Sequence, residues 1–129
     1  MASVSAFRHQ DQGAVNVQVL SKYELLVWLS GYFTENEDII AFTEMVEGRL
    51  LQGVTWLIID MQSVEFMTSR LLAALVSCHK KFRRLGGDVM LVDVSKNVRE
   101  ILELTEMDHY FDVMNSVAAA RLKILETTR

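Results

Sequence analysis

From Ala14 the chain alternates apolar and polar side chains, with Val15, Val17 and Val19 set against Asn16 and Gln18. A period of two sends successive side chains to opposite faces of a strand, so this stretch reads as a half-buried β-strand. Ser21-Lys22 supplies a turn. Tyr23 to Leu29, apolar and aromatic, reads as the second strand of a hairpin that Ser30-Gly31 ends. The period then changes. Ile39, Ile40, Phe42, Met45, Val46, Leu50 and Leu51 recur at helical spacing and are expected to face inward. Asn36 is placed to cap this helix, and Glu37 and Asp38 lie in its first turn, where the helix dipole favours acids. Gln52-Gly53 closes it.

Thr55 to Ile59 is an unbroken apolar run, which predicts a central strand covered on both faces. Asp60 and Gln62-Ser63 lead through Val64-Glu65-Phe66-Met67 to a second helix starting near Thr68 or Ser69. That helix carries Leu71, Leu72, Leu75, Val76 and Phe82, becomes basic at Lys80, Lys81, Arg83 and Arg84, and stops at Gly86-Gly87. Val89 to Val94 predicts another buried strand. Ser95 caps a third helix with Val98, Ile101, Leu102 and Leu104 inward. Tyr110 to Met114 forms a short last strand, and Asn115 or Ser116 caps a final helix through Leu122 and Ile124. Strands alternating with helices give an α/β domain with a mostly parallel, mixed sheet of about five strands and about four helices. The crossovers are right-handed, and the N-terminal β-hairpin supplies an antiparallel edge. Residues 1–12 read as a flexible N-terminal arm, and 13–129 as one domain.

Composition narrows the chemistry. The 129 residues are half hydrophobic and carry a net charge of -4, a globular balance that disfavours nucleic acid as the main partner. One cysteine, Cys78, rules out an internal disulfide. The N-terminus has no signal-peptide pattern and no apolar run reaches the roughly 20 residues a membrane helix needs, so a cytoplasmic setting is expected, with no membrane. His9, His79 and His109 fall at no spacing that joins them to Cys78 or an acid as metal ligands, and read as solvated or packed. No carboxylate pair is placed for acid–base work, and Ser69 has no evident base near it in sequence. An enzyme is therefore not expected, nor a cofactor of the chain's own.

The stretch from Thr55 to Phe111 resembles the STAS domain of bacterial anti-sigma-factor antagonists. Asp60, Phe66, Met67, Gly86, Gly87, Val98, Leu102, Leu104, Thr105, Asp108 and Phe111 fall in register with the family pattern. In that pattern Asp-Ser-Ser/Thr-Gly opens the helix after the central strand. Here it reads Thr68-Ser69-Arg70-Leu71, so only Ser69 stays in place.

The resemblance implies transcription regulation by partner switching. A serine kinase with an ATP-binding fold, itself the anti-sigma factor, phosphorylates the antagonist at that serine and so breaks the complex. It makes Ser69 and Thr68 the phosphorylation candidates and this chain a candidate phosphoprotein of stress or sigma-factor signalling. It also puts a partner-binding surface on Gly31, Tyr32, Phe33, Thr34, Met67, Thr68, Ser69, Arg70 and Ala73. For Ser69, a plain helix cap weighs equally with a phosphoacceptor; for Thr68, capping leads. Asp60 is expected to bond the loop backbone, and Leu71 and Arg70 to reshape what a kinase meets. Other STAS proteins are alternative partners, and a homo-oligomer paired through a sheet edge stays open. The competing reading is a sensor module holding an anion or nucleotide at the same helix start.

Overall fold

The alternation from Ala14 becomes strand β1 (Ala14–Val19), paired antiparallel with β2 (Glu24–Ser30). A computed structural model describes residues 13–31, 33, 34 and 36–128; the arm expected over residues 1–12 lies outside them. After the hairpin come α1 (Asn36–Leu51), β3 (Trp56–Ser63), α2 (Ser69–Arg84), β4 (Asp88–Val92), α3 (Lys96–Leu104), β5 (Asp112–Met114) and α4 (Val117–Thr127). The five strands lie in the order β1-β2-β3-β4-β5, antiparallel only between β1 and β2. The mixed sheet with an N-terminal hairpin is the one the sequence pattern implies.

The two faces of the sheet are covered unequally. Leu25, Val27, Leu29, Leu57, Ile59, Met61, Val89 and Leu91 point to one face, where α1, α2 and α3 bury Phe42, Val46, Leu71, Leu75, Phe82, Val98 and Leu102 over them. Leu26, Trp56, Ile58, Met90 and Val92 point to the other, where α4 alone supplies Ala120 and Ile124. Burial on both sides explains why β3 and β4 read as continuous apolar runs. Ile40, Leu51 and Leu104, expected inward from their spacing, are exposed. Leu51 and Leu104 are the last residues of their helices. In α1 only Phe42 and Val46, one turn apart, are fully buried, so the apolar stripe that contacts the sheet is narrower than the stripe in the sequence.

The helix stop at Gly86-Gly87 does more than end α2. Gly86 takes a φ of 83°, and Gly87 passes so close to the Thr55 carbonyl that an added Cβ would lie 1.6 Å from its oxygen. The amide of the next residue, Asp88, donates to that same carbonyl at 3.1 Å and starts the β3–β4 pairing. Gly48, inside α1, has open space around it.

Beneath the end of α2, His79 is buried and its Nε2 lies 3.1 Å from Asp88 Oδ1. Tyr110 and Phe111 pack on the ring, with centroids 4.3 and 5.3 Å away. Burial pushes the imidazole pKa down, against the opposing pull of Asp88, and Nδ1 has no hydrogen-bond partner among the described residues. Arg83 adds a further downward push and Asp112 an upward one. One residue earlier, Cys78 is buried and its thiol is pushed up to about 12 by that burial, which leaves it inert at neutral pH.

Two outcomes follow from this packing. Gly87→Ala should lower unfolding stability by several kcal/mol, or prevent folding, because the main chain must move, whereas Gly48→Ala should raise it by about 0.5–1 kcal/mol; urea unfolding measures both. The neutral His79 of the folded state binds fewer protons than the unfolded chain does near its ordinary pKa. Its contribution to stability is therefore complete above about pH 6.5 and lost progressively as pH falls below it. The pH slope of the urea midpoint between pH 7 and pH 5 should shrink in His79→Gln.

Candidate docking face at the start of helix α2

The central strand delivers the chain to this face through an irregularity. Trp28 pairs with Asp60, but Ser30 pairs with Ser63, so β3 carries one extra residue opposite β2. Such a bulge leaves main-chain groups off the ladder. The buried carboxylate of Asp60 accepts the Gln62 amide at 2.9 Å and holds the turn of the strand, as its place in the sequence suggested.

Helix α2 starts at Ser69, and its cap is Thr68. The Thr68 backbone is extended (φ -75°, ψ 157°), and its Oγ1 accepts the Leu71 amide at 3.1 Å. The same hydroxyl donates to the Phe33 carbonyl at 3.2 Å. One side chain thereby closes the first turn of α2 and ties it to the turn that follows β2. That turn is bent by Gly31 and Phe33, at φ 87° and 53°. The Phe33 ring is fully buried, and it lies so close to Gly13 that a Cβ there would come within 2.7 Å of Cδ1. The Gly13 amide in turn donates to Asp38 Oδ2 at 2.8 Å, joining the start of β1 to the first turn of α1.

The start of α1 meets the start of α2 directly, through a hydrogen bond from Arg70 Nη1 to Asn36 Oδ1. With Thr68 committed to capping, Ser69 occupies the first helical position, exposed, and its hydroxyl takes part in no hydrogen bond among the described residues. The first turn of α2 contains no acid, and its last turn holds Lys81, Arg83 and Arg84. The positive end of the helix dipole is thus left without a carboxylate from its own helix.

The expected surface residues separate into two layers. Thr34, Ser69, Arg70 and Ala73 are exposed. Gly31 and Thr68 are intermediate, while Phe33 and Met67 are buried and support the face from beneath instead of lining it. Tyr32 lies outside the described residues. Leu71, expected to alter the surface where the family pattern has glycine, is fully buried among the α2 core residues. The change there affects packing, whereas Arg70 changes the exposed surface. Two contributors were not anticipated. Phe66 is half exposed at 52 % on the loop before the helix, and Asn36 holds Arg70. Val64-Glu65-Phe66-Met67 has neither strand nor helix period, so no pattern told which of its apolar side chains turns outward.

Comparison with known proteins agrees with this architecture. The profile of the STAS domain matches residues 33–120. No curated protein matches the sequence significantly. An anti-sigma factor antagonist from Mycobacterium paratuberculosis superposes with a TM-score of 0.75 at 21 % identity, over 89 % of this chain and 96 % of that one. An anti-sigma-factor antagonist (STAS) domain protein from Planctomyces limnophilus gives 0.71 at 18 % identity, over 89 % and 98 %. The Bacillus cell fate determinant SpoIIAA, in its phosphorylated form, gives 0.69 at 13 % identity, over 87 % and 99 %. At these identities the superpositions establish the fold, and the profile match over more than half of the sequence establishes the family: this chain belongs to the STAS domain family.

Proposed function

We propose that this chain is a cytoplasmic regulatory protein that works by docking, not catalysis, in the manner of an anti-sigma-factor antagonist. Its partner is a serine kinase with an ATP-binding fold that doubles as an anti-sigma factor, or another STAS protein, within bacterial sigma-factor or stress signalling. The observation that carries this reading is the division of labour at the helix start: Thr68 caps α2, which leaves the exposed Ser69 hydroxyl without a structural task. The phosphorylated SpoIIAA among the structural neighbours supports the same reading.

The physics of a switch is present at that position. A phosphate adds a charge of about -1.5 to -2. The amides and dipole at a helix N-terminus tolerate that charge, and no acidic residue of the first turn of α2 opposes it. Phosphorylation would then leave the fold in place while changing the sign of the surface a partner meets. Arg70 is held by Asn36 across to α1, so its charge sits at a fixed place beside Ser69, available to a phosphate or to an acidic group of a partner.

Three measurements check this. Mass spectrometry of protein from the native cell should find phosphate on Ser69 or Thr68, and capture from the same cells should retain a kinase-fold partner. Ser69→Ala should keep that partner, while Ser69→Glu should weaken its binding by at least about tenfold, or roughly 1.4 kcal/mol. No phosphate under stress or rest, with capture indifferent to both variants, would sink the switch. Thr68→Ala should lower unfolding stability by about 1 kcal/mol or more, because it removes the cap and the bond to Phe33 together, whereas Ser69→Ala should stay within about 0.5 kcal/mol.

A further inference from the structure

The two edges of the sheet are built differently. β5 is three residues long, contains Asp112, and that carboxylate is engaged by Lys123 of α4 at 2.8 Å. Shortness and charge are the usual means of keeping an edge from pairing. β1 has neither. Its six residues contain no charge and no proline, and it pairs with β2 over six consecutive positions without a break in register.

The hydrogen-bond pattern of the hairpin shows which main-chain groups of β1 face outward. The Leu20 amide donates to the Glu24 carbonyl at 3.0 Å, which fixes Leu20 and Glu24 as a hydrogen-bonded pair. Such pairs alternate in an antiparallel ladder, so Ala14, Asn16 and Gln18 direct their N–H and C=O groups to β2. Val15, Val17 and Val19 direct theirs away from the sheet. Their side chains lie on the helix-covered face, where Val15 and Val17 pack against the core and Val19 is 59 % exposed. Asn16 and Gln18 stand exposed on the other face.

We propose that β1 pairs antiparallel with β1 of a second copy of this chain, about a twofold axis at Val17, to give a continuous sheet. The register sets Val17 of one copy beside Val17 of the other, and Val15 opposite the second copy's Val19. These are the residues whose main-chain groups face away from β2 with no strand beyond them among the described residues, and they form about six new main-chain hydrogen bonds. On one face the valines of both strands extend the core side of the sheet and cover Val19. On the other, Asn16 faces the second copy's Gln18, amide against amide. A twofold axis brings each charge near its own copy, and an uncharged strand meets no repulsion there. A strand-addition contact draws its affinity from main-chain bonds and its register from side chains, and this edge supplies both. It uses none of the residues at the start of α2, so it stands whether or not the docking reading does.

Sedimentation of the full chain tests it. The apparent mass should rise from that of one chain toward twice that value as concentration increases. The double variant Asn16→Glu/Gln18→Glu places carboxylates opposite carboxylates at exposed positions, and should weaken self-association by at least about tenfold. Mixing it with Asn16→Lys/Gln18→Lys should restore a mixed dimer. Val17→Pro, which deletes an outward N–H and no β1–β2 bond, should weaken association without mixing rescue. A single-chain mass at every concentration would overturn the proposal. So would a dimer indifferent to these variants, or slow amide exchange at Val15, Val17 and Val19 in the dilute monomer, which would show the edge covered by the chain itself.

Discussion

The Thr68 hydroxyl joins two segments 35 positions apart, accepting from the Leu71 amide and donating to the Phe33 carbonyl. A helix N-terminus has amides without partners, and the turn that leaves a strand has carbonyls in the same condition. One small side chain satisfies a group of each kind. The Ser69 tip owes its position to that bond, because α2 could otherwise begin a residue later or tilt away from the β2–α1 turn. Arg70 with Asn36, and Gly13 with Asp38, add ties at the same end of the sheet. The face is thus held by several independent contacts, a condition for presenting a single shape to a partner.

What lies under this face is apolar and closed. Phe33, Met67 and Leu71 are buried, so the loop before α2 and the turn after β2 rest on the same core that covers the sheet. Phosphate chemistry at such a place can act on the surface alone. The covalent change is large in charge and small in volume, and the packing below has no polar group at Phe33, Met67 or Leu71 that must respond. Signalling by a change of partner, with the fold held constant, fits these physical terms.

The element order was legible because hydrophobic period and punctuation agree along the chain. Alternation at Val15, Val17 and Val19, apolar runs at Thr55 to Ile59 and Val89 to Val92, and hydroxyl caps at Ser95 and Ser116 all point the same way. The caps are observed, with Ser95 and Ser116 accepting from Val98 and Ala119. Helix ends were read less well. Spacing marks Leu51 and Leu104 as part of an apolar stripe, but a stripe does not say where the sheet beneath it stops. β3 runs on to Ser63 because a bulge, with Asp60 as its support, lets polar residues continue the strand. Within the site, the capping role of Thr68 followed from its residue type. The burial of Leu71 did not follow from its alignment with a glycine, nor the pairing of Arg70 with Asn36 from any local pattern, since both depend on how two distant helix starts meet.

The most direct test of the account is amide hydrogen exchange of the full chain, free and bound to the partner it captures from its native cell. The account predicts that the first turn of α2, from Ser69 to Ala73, and the turn from Gly31 to Thr34 gain protection together on binding. Protection appearing elsewhere while both segments exchange as in the free protein would contradict it.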